Sequence, residues 1–216
     1  MMVRIVVTMA RTSRENGALA VVAPRRDLCL DFANTVSWRG SDAADSLPGV
    51  ADLLHWCKDH GTIDAAAFAR LDHWATRDPV EAGAMFEEAV MLRESLYRIF
   101  FTITLGQAPE ARDVAAVNSA LGRAPVRHTL APVDQGFGWR LEADWRGAAA
   151  LLAPVLWSAG DLLVSPEVAR LRHCANPKCL WLFLDDSKNG SRRWCSMQAC
   201  GNRAKAHRHY LRSKAG

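Results

Sequence analysis

Two pairs of cysteines constrain the fold of this chain more than any other feature of its sequence. Each pair has four intervening residues, fifteen residues separate the pairs, and the four are Cys174, Cys179, Cys195 and Cys200. Zinc prefers four thiolate or imidazole ligands in a tetrahedron, and short-range pairs that a hairpin brings together supply them at little cost in chain entropy. The spacing therefore predicts one structural zinc ion held by these four cysteines.

The residues around the cysteines predict a small zinc-dependent unit. Between the pairs, "LWLFLD" is typical of a strand, "DSKNGS" contains an Asn-Gly turn signal, and "RRW" can form the returning strand. A helical run follows from residue 199 to about residue 212. This order, a knuckle, a hairpin and a helix whose first turn donates the last ligands, predicts a treble-clef-like finger. Such a unit is too small to bury its own core, so metal binding supplies much of its folding energy.

A disulfide pair or a redox dithiol is the alternative to zinc. Neither pair has the C-x-x-C spacing of a redox motif. The sequence has no run of roughly 18 apolar residues and no convincing signal peptide, so we expect a soluble cytoplasmic protein with no membrane partner. In a reducing compartment clustered cysteines bind metal more often than they form disulfides. Four cysteine ligands would leave no open position for water, which argues against a catalytic zinc.

Charge divides the chain into an acidic part and a basic part. From Arg172 to Gly216 there are ten Lys and Arg against two Asp and Glu, a net charge of +8, whereas residues 1–171 carry a net charge of −4. A basic segment of this kind favours an anionic polymer or surface as partner. A solvated basic face is the alternative explanation.

Several cations on a rigid finger can neutralise several phosphates, which predicts DNA as the partner. The candidates are Arg192, Arg193, Arg203, Lys205, Arg208 and Arg212. Arg208 and Arg212 lie one helical turn apart, with Lys205 near Arg208 on the same side. Contact with an acidic patch of a protein partner, or solubility alone, is the alternative.

Upstream of the finger, apolar periodicity predicts mainly helices. Residues 80–105 give the strongest helical pattern, with apolar side chains at steps of three and four. Residues 126–143 predict two short strands around a glycine-bearing turn, and residues 145–164 predict a long apolar helix bent near Pro154. The predicted fold is therefore α+β: a mainly helical body with a small β-hairpin or sheet, followed by the finger.

These patterns divide the chain into three regions. We expect a poorly ordered leader over residues 1–20, the helical body over residues 21–170 and the finger over residues 171–216.

The body shows no motif of a catalytic site. It lacks a Gly-x-Ser-x-Gly elbow, a P-loop, a His-Glu-x-x-His pair and a dinucleotide fingerprint, so we expect no enzyme. Arg25, Asp31 and Asn34 are the candidates for binding an anionic or polar ligand, because Asp31 and Asn34 interrupt an apolar stretch. Cys29 and Cys57 have apolar neighbours and are expected to be buried thiols. A ligand-binding or enzymatic body, with a finger that contacts proteins, is the alternative function.

Two segments resemble known families. Residues 173–212 resemble the CGNR zinc finger, including its naming tetrad Cys200-Gly201-Asn202-Arg203. Upstream, "LCLDFANTV" at 28–36 resembles the opening motif of the ABATE domain, which usually precedes this finger. The resemblance implies a stress-induced bacterial transcription regulator that binds DNA, with zinc on the four cysteines. It further implies a sensing or scaffolding body, and our hypothesis is that this body senses a small-molecule effector or forms a homodimer.

Overall fold

The computed structural model describes residues 19–22, 25–133, 136–141 and 146–214, with side chains except those of residues 19–22, 133, 207–209 and 211. Within these ranges the helices are α1 Leu28–Ala33, α2 Val50–Asp59, α3 Ala65–Arg77, α4 Pro79–Thr104, α5 Ala111–Arg123, α6 Ala148–Leu151, α7 Ala153–Val164 and α8 Asn202–Lys214. The strands are β1 Leu19–Val22, β2 Val36–Ser37, β3 Ala44–Asp45, β4 Thr129–Val133, β5 Gly136–Leu141, β6 Leu171–His173 and β7 Leu182–Leu184. A mainly helical body with small antiparallel sheets therefore precedes the finger, which confirms the predicted fold class.

The central helix α4 organises the body. Its apolar residues recur at helical spacing, and Met85, Leu92, Leu96 and Phe100 are buried on the face that packs against the neighbouring helices. The helix ends before Gly106, whose φ of +70° lies in the left-handed region that glycine adopts without a steric penalty. The predicted helix over 80–105 is thus confirmed to within a residue at each end.

The predicted bend near Pro154 is a break between α6 and α7. Leu152 separates the two helices, and Pro154 stands in the first turn of α7. Proline lacks an amide hydrogen and its ring clashes with the carbonyl four residues earlier, so it is tolerated in a first turn and not in a helix interior. α6 is buried throughout and α7 over most of its length, as their apolar composition requires.

A three-stranded sheet has the order β1-β5-β4, with all pairs antiparallel. β4 and β5 form the hairpin predicted over 126–143, with Thr129 opposite Arg140. β1 pairs with β5 from Leu19 opposite Leu141, so Leu19 and Ala20 belong to a strand although they fall in the predicted leader. The other residues of that leader lie outside the described part of the chain.

The finger contains a different hairpin from the one its sequence predicts. β7 pairs with β6, which precedes the first cysteine pair, and not with the "RRW" segment that follows the turn. The side chain of Asp185 instead accepts hydrogen bonds from the amides of Ser187 and Arg192, at 2.9 Å each. These bonds close the 185–192 loop through a side chain, so no ladder forms across it.

The finger packs directly onto the body. β6 packs against α4, and Leu171, Leu182 and Leu184 are buried in the same apolar core as the helices of the body. The two regions therefore share one hydrophobic core, and the position of the finger is fixed by the body.

Candidate metal centre and nucleic-acid interface

Cys174, Cys179, Cys195 and Cys200, here called the cysteine cluster, lie close enough together to bind one metal ion. Their sulfur atoms all lie within 4.8 Å of one another, and those of Cys179 and Cys195 are 3.7 Å apart. Zn–S bonds of about 2.3 Å in a tetrahedron place sulfurs about 3.8 Å apart, which agrees with this spacing. All six cysteines of the sequence are described, and each is a free thiol. The structure therefore contains no disulfide between these six cysteines.

Backbone geometry delivers each pair of ligands. Leu180 has a φ of +56°, and the amide of Cys174 donates to the carbonyl of Trp181 at 2.8 Å, which folds the first pair into a knuckle. The second pair spans a π-helical turn, Met197–Gly201, which leads directly into α8. Within this turn the hydroxyl of Ser196 accepts a hydrogen bond from the amide of Ala199. α8 thus starts at the metal site.

The electrostatics of the cluster favour a bound cation. A hydrogen bond from Cys195 lowers the pKa of Cys174 to about 5, whereas burial raises the pKa of Cys179 to about 11. The pKa of Cys195 is raised, because its thiol donates a hydrogen bond to Cys174 and lies close to the negative charge of the Cys174 thiolate. One thiolate therefore forms readily, and each further one is opposed by the first. A divalent cation at the centre removes this repulsion. The side-chain amide of Asn176 also donates a hydrogen bond to the sulfur of Cys200 at 3.5 Å, which stabilises a thiolate there.

Profile comparison identifies both regions of the chain. Residues 26–166 match the ABATE family, described as "Putative stress-induced transcription regulator", and residues 170–213 match the CGNR zinc finger. The chain belongs to the ABATE family. A search of the curated proteins gives no match.

The CGNR finger of this ABATE protein is a zinc-binding unit. The cysteines that the sequence predicts as ligands are the same four that the fold brings together. The ABATE domain and the finger also follow each other in the predicted order. One structural zinc ion with four cysteine ligands is therefore the cofactor of the chain.

Two of the six candidate DNA contacts have structural partners in the ABATE protein. Arg192 donates from Nε to the carbonyl of Trp194 at 3.0 Å and from Nη2 to the carbonyl of Cys195, and its guanidinium lies 4.4 Å from the ring centre of Phe183. Arg203 places its guanidinium 4.6 Å from the ring centre of Trp38, a residue of the body. Both cations are therefore engaged in holding the finger together.

Three of the other candidates are exposed, as these two are. Arg193, Lys205 and Arg212, like Arg192 and Arg203, have no carboxylate ion-pair partner within the described ranges. Successive helical residues are about 100° apart, so Lys205 and Arg212 share one face of α8 while Arg203 lies on the opposite face. The side chain of Arg208 is outside the described set.

An open groove of about 400 Å³ lies beside these cations. It is lined by Ser187, Ser191, Arg192, Arg193, Trp194 and Met197. Arg193 lies over the ring of Trp194, 5.4 Å from its centre, so this part of the finger surface combines positive charge with an aromatic face.

Of the three candidate ligand-binding residues of the body, Arg25 and Asp31 are brought together, whereas Asn34 is buried against the finger. Asn34 is 3 % exposed, and both the nitrogen and the oxygen of its side-chain amide form hydrogen bonds with the backbone of Leu182. Arg25 is exposed and forms ion pairs with Asp31 and Asp27. Cys29 and Cys57 are fully buried, as predicted, and burial raises the pKa of each to about 12, which makes them inert thiols.

Sequence reasoning missed the contribution of the body to the metal centre. Trp38 packs against the cysteine cluster although it precedes the first ligand by more than a hundred residues. Gly40 touches the knuckle at Pro177. The position of Trp38 just after the ABATE motif was the available signal, but periodicity cannot show which loop approaches the finger.

The described helices were also compared with the length and hydropathy of a membrane span. None of them, in the ranges given above, is long and apolar enough to cross a bilayer.

Proposed function

We propose that this ABATE protein is a zinc-dependent DNA-binding transcription regulator in which α8 and the 185–195 segment contact the DNA backbone. The observation that carries the proposal is the set of exposed, unpaired cations Arg193, Lys205 and Arg212 on a zinc-fixed scaffold. Several cations of the body behave differently, since Arg39, Arg93, Arg98 and Arg127 each pair with a carboxylate. Unpaired cations held in a fixed arrangement neutralise phosphates at little cost in entropy.

The salt dependence of binding to duplex DNA tests this proposal. Each phosphate that a cation neutralises contributes about 0.9 to the slope of log K against log salt. The double variant Lys205→Ala with Arg212→Ala should therefore bind more weakly and reduce the slope by about 2. The measurement is fluorescence anisotropy with random-sequence duplex between about 50 and about 200 mM salt.

Two controls accompany this measurement. Arg70→Ala with Arg77→Ala removes two exposed cations with the same seven-residue spacing from α3 of the body, and should leave binding unchanged. The wild type should contain about one equivalent of zinc per chain. Cys195→Ser removes a zinc ligand, so this variant should lose both the zinc and the binding to DNA. Absence of wild-type binding at low salt would contradict the proposal.

The alternative is a finger that contacts another protein. Its support is the apolar surface of the finger, where Met197 and Tyr210 are each 52 % exposed and Trp181 is 36 % exposed. Apolar protein contacts depend little on salt, whereas phosphate contacts depend on it steeply, so the same titration separates the two functions.

We infer further that the body supplies the regulatory input, by sensing a ligand or by dimerising. Support for a dimer comes from the β4-β5 hairpin, where Leu130 is 55 % and Phe137 is 66 % exposed. Sedimentation analysis of wild type and Phe137→Ser tests it. A monomeric wild type would leave ligand sensing as the role of the body.

A further inference from the structure

The loop between β2 and β3 belongs to the body and reaches the metal centre. Trp38, at its start, packs with Trp194 against the cysteine cluster. Its φ of +55° lies in the left-handed region, which is costly for a bulky residue. A large aromatic residue held in this conformation indicates that its ring is needed where it lies.

The same loop touches the knuckle that carries the first two ligands. The amide of Gly40 donates to the carbonyl of Lys178 at 3.2 Å. A Cβ atom on Gly40 would come within 3.0 Å of the carbonyl group of Pro177, so only glycine permits this approach. Tyr97 of α4 donates to the carbonyl of Leu180 at 3.0 Å, a second contact between the body and the knuckle.

Two arginine–carboxylate pairs join the loop to helix α4, with Arg93 on the helix and Arg39 on the loop. Arg93 donates to both carboxylate oxygens of Asp45 at 2.8 and 2.7 Å, and Arg39 donates to both oxygens of Glu94 at 2.6 and 3.0 Å. The guanidinium of Arg39 also lies 3.8 Å from the ring centre of Tyr97. The conformation of the loop, and with it the position of Trp38, is therefore set by the core of the body.

Trp38 also touches the start of α8. Arg203, in the first turn of that helix, lies over the ring of Trp38. Because Arg203 is on the face of α8 opposite Lys205 and Arg212, a contact that holds Arg203 against Trp38 leaves those two cations on the face away from that contact.

We propose that Trp38 is a positioning residue of the zinc finger: it shields the four-cysteine site from solvent and, through Arg203, orients α8 for its contacts. The body thereby completes the finger. The shielding of zinc stands on the geometry of the metal centre alone, whereas the orientation of α8 toward DNA rests on the proposed function.

The rate of zinc release to excess chelator tests the shielding in the full-length chain. Trp38→Gly removes the ring at a position whose φ suits glycine, so it adds no backbone strain. We expect release to become about ten-fold faster, the size of effect typical for residues that support metal ligands. Trp38→Phe, which keeps a ring, should restore a rate close to that of the wild type.

Trp181→Ala is the matched control, because Trp181 is also adjacent to the knuckle but is 36 % exposed and outside the contacts of the cysteine cluster. It should release zinc at the wild-type rate. A wild-type rate for Trp38→Gly, or an equally fast rate for Trp181→Ala, would overturn the proposal. Circular dichroism of each variant verifies that the helical body is intact.

A double-mutant cycle on DNA affinity tests the orientation of α8. Trp38→Gly, Arg203→Ala and the double variant should lose the same factor in affinity, because each breaks one shared contact. Losses that multiply would show that the two residues act separately and would overturn this part. If the wild type binds no DNA, the proposed function fails, while the zinc-release comparison still decides the role of Trp38.

Discussion

At the scale of single residues, Asn34 joins the two regions of the chain through its side-chain amide. Its Nδ2 donates to the carbonyl of Leu182 at 2.8 Å, and its Oδ1 accepts from the amide of the same residue at 3.0 Å. The side chain therefore satisfies both backbone groups on one edge of β7, as a neighbouring strand would.

Replacing this amide should destabilise the protein strongly. Asn34→Ala leaves the buried amide and carbonyl of Leu182 without partners, and each such group costs about 1–3 kcal/mol. We expect the free energy of unfolding to fall by about 2–4 kcal/mol, as measured by urea denaturation. Asn118→Ala, on the exposed surface of α5, is the control and should change it by less than about 0.5 kcal/mol. Similar values for the two variants would contradict the role assigned to Asn34.

At the scale of elements, the β2–β3 loop and the knuckle fit together closely at Gly40. Gly40→Ala forces its new methyl group against the carbonyl of Pro177, so the knuckle must move. We expect a loss of about 1–3 kcal/mol in the free energy of unfolding, typical of overpacking. Gly160→Ala is the matched substitution in α7, where a Cβ meets nothing within 4 Å. It should stabilise by about 0.5–1 kcal/mol, since alanine suits a helix interior better than glycine. A neutral Gly40→Ala in thermal unfolding would show that this contact is loose.

The sequence determines most of the elements correctly because their causes are local. Apolar spacing predicts α4, the β4-β5 hairpin follows from its turn residues, and the break before Pro154 follows from the chemistry of proline. The four ligands are likewise predictable, since zinc fixes both residue type and spacing. The hairpin of the finger was wrong because its turn is closed by the side chain of Asp185, which competes with a strand ladder.

Contacts between distant segments could not be predicted. Which arginine pairs with the body and which remains free depends on where Trp38 lies, and no periodic pattern connects Trp38 with Arg203. Asn34 is a similar case, because its position in an apolar stretch suggested a ligand site, whereas tertiary packing engages it with Leu182.

At the scale of the whole molecule, the body has a net negative charge and the finger a net positive charge, and several carboxylates of the body pair internally. Asp113 is an example: hydrogen bonds from Arg98 lower its pKa, and its side chain is 3 % exposed. A carboxyl whose pKa is lower in the folded than in the unfolded state adds stability above its unfolded pKa of about 3.9. This contribution is lost as the pH falls through the folded value.

Asp113→Asn should therefore reduce the free energy of unfolding near neutral pH and have a smaller effect in acid. We expect a reduction of roughly 1 kcal/mol at about pH 7, a modest value because Arg98 is half-exposed, and a smaller reduction at about pH 3, below the unfolded pKa. Urea denaturation at both pH values measures it, with Asp72→Asn, on the exposed side of α3, as the control. A difference that persists unchanged in acid would exclude the ion pair as its cause.

The shared core of body and finger also has a consequence for the order of folding. The side-chain bonds between them span up to 160 positions in the sequence, as between Arg26 and Asp186. Contacts of such long range form late, because the intervening chain must first be ordered. We expect the cysteines to retain zinc firmly only after the helices have assembled, so the metal content of a preparation reports the fraction of chains whose body has folded.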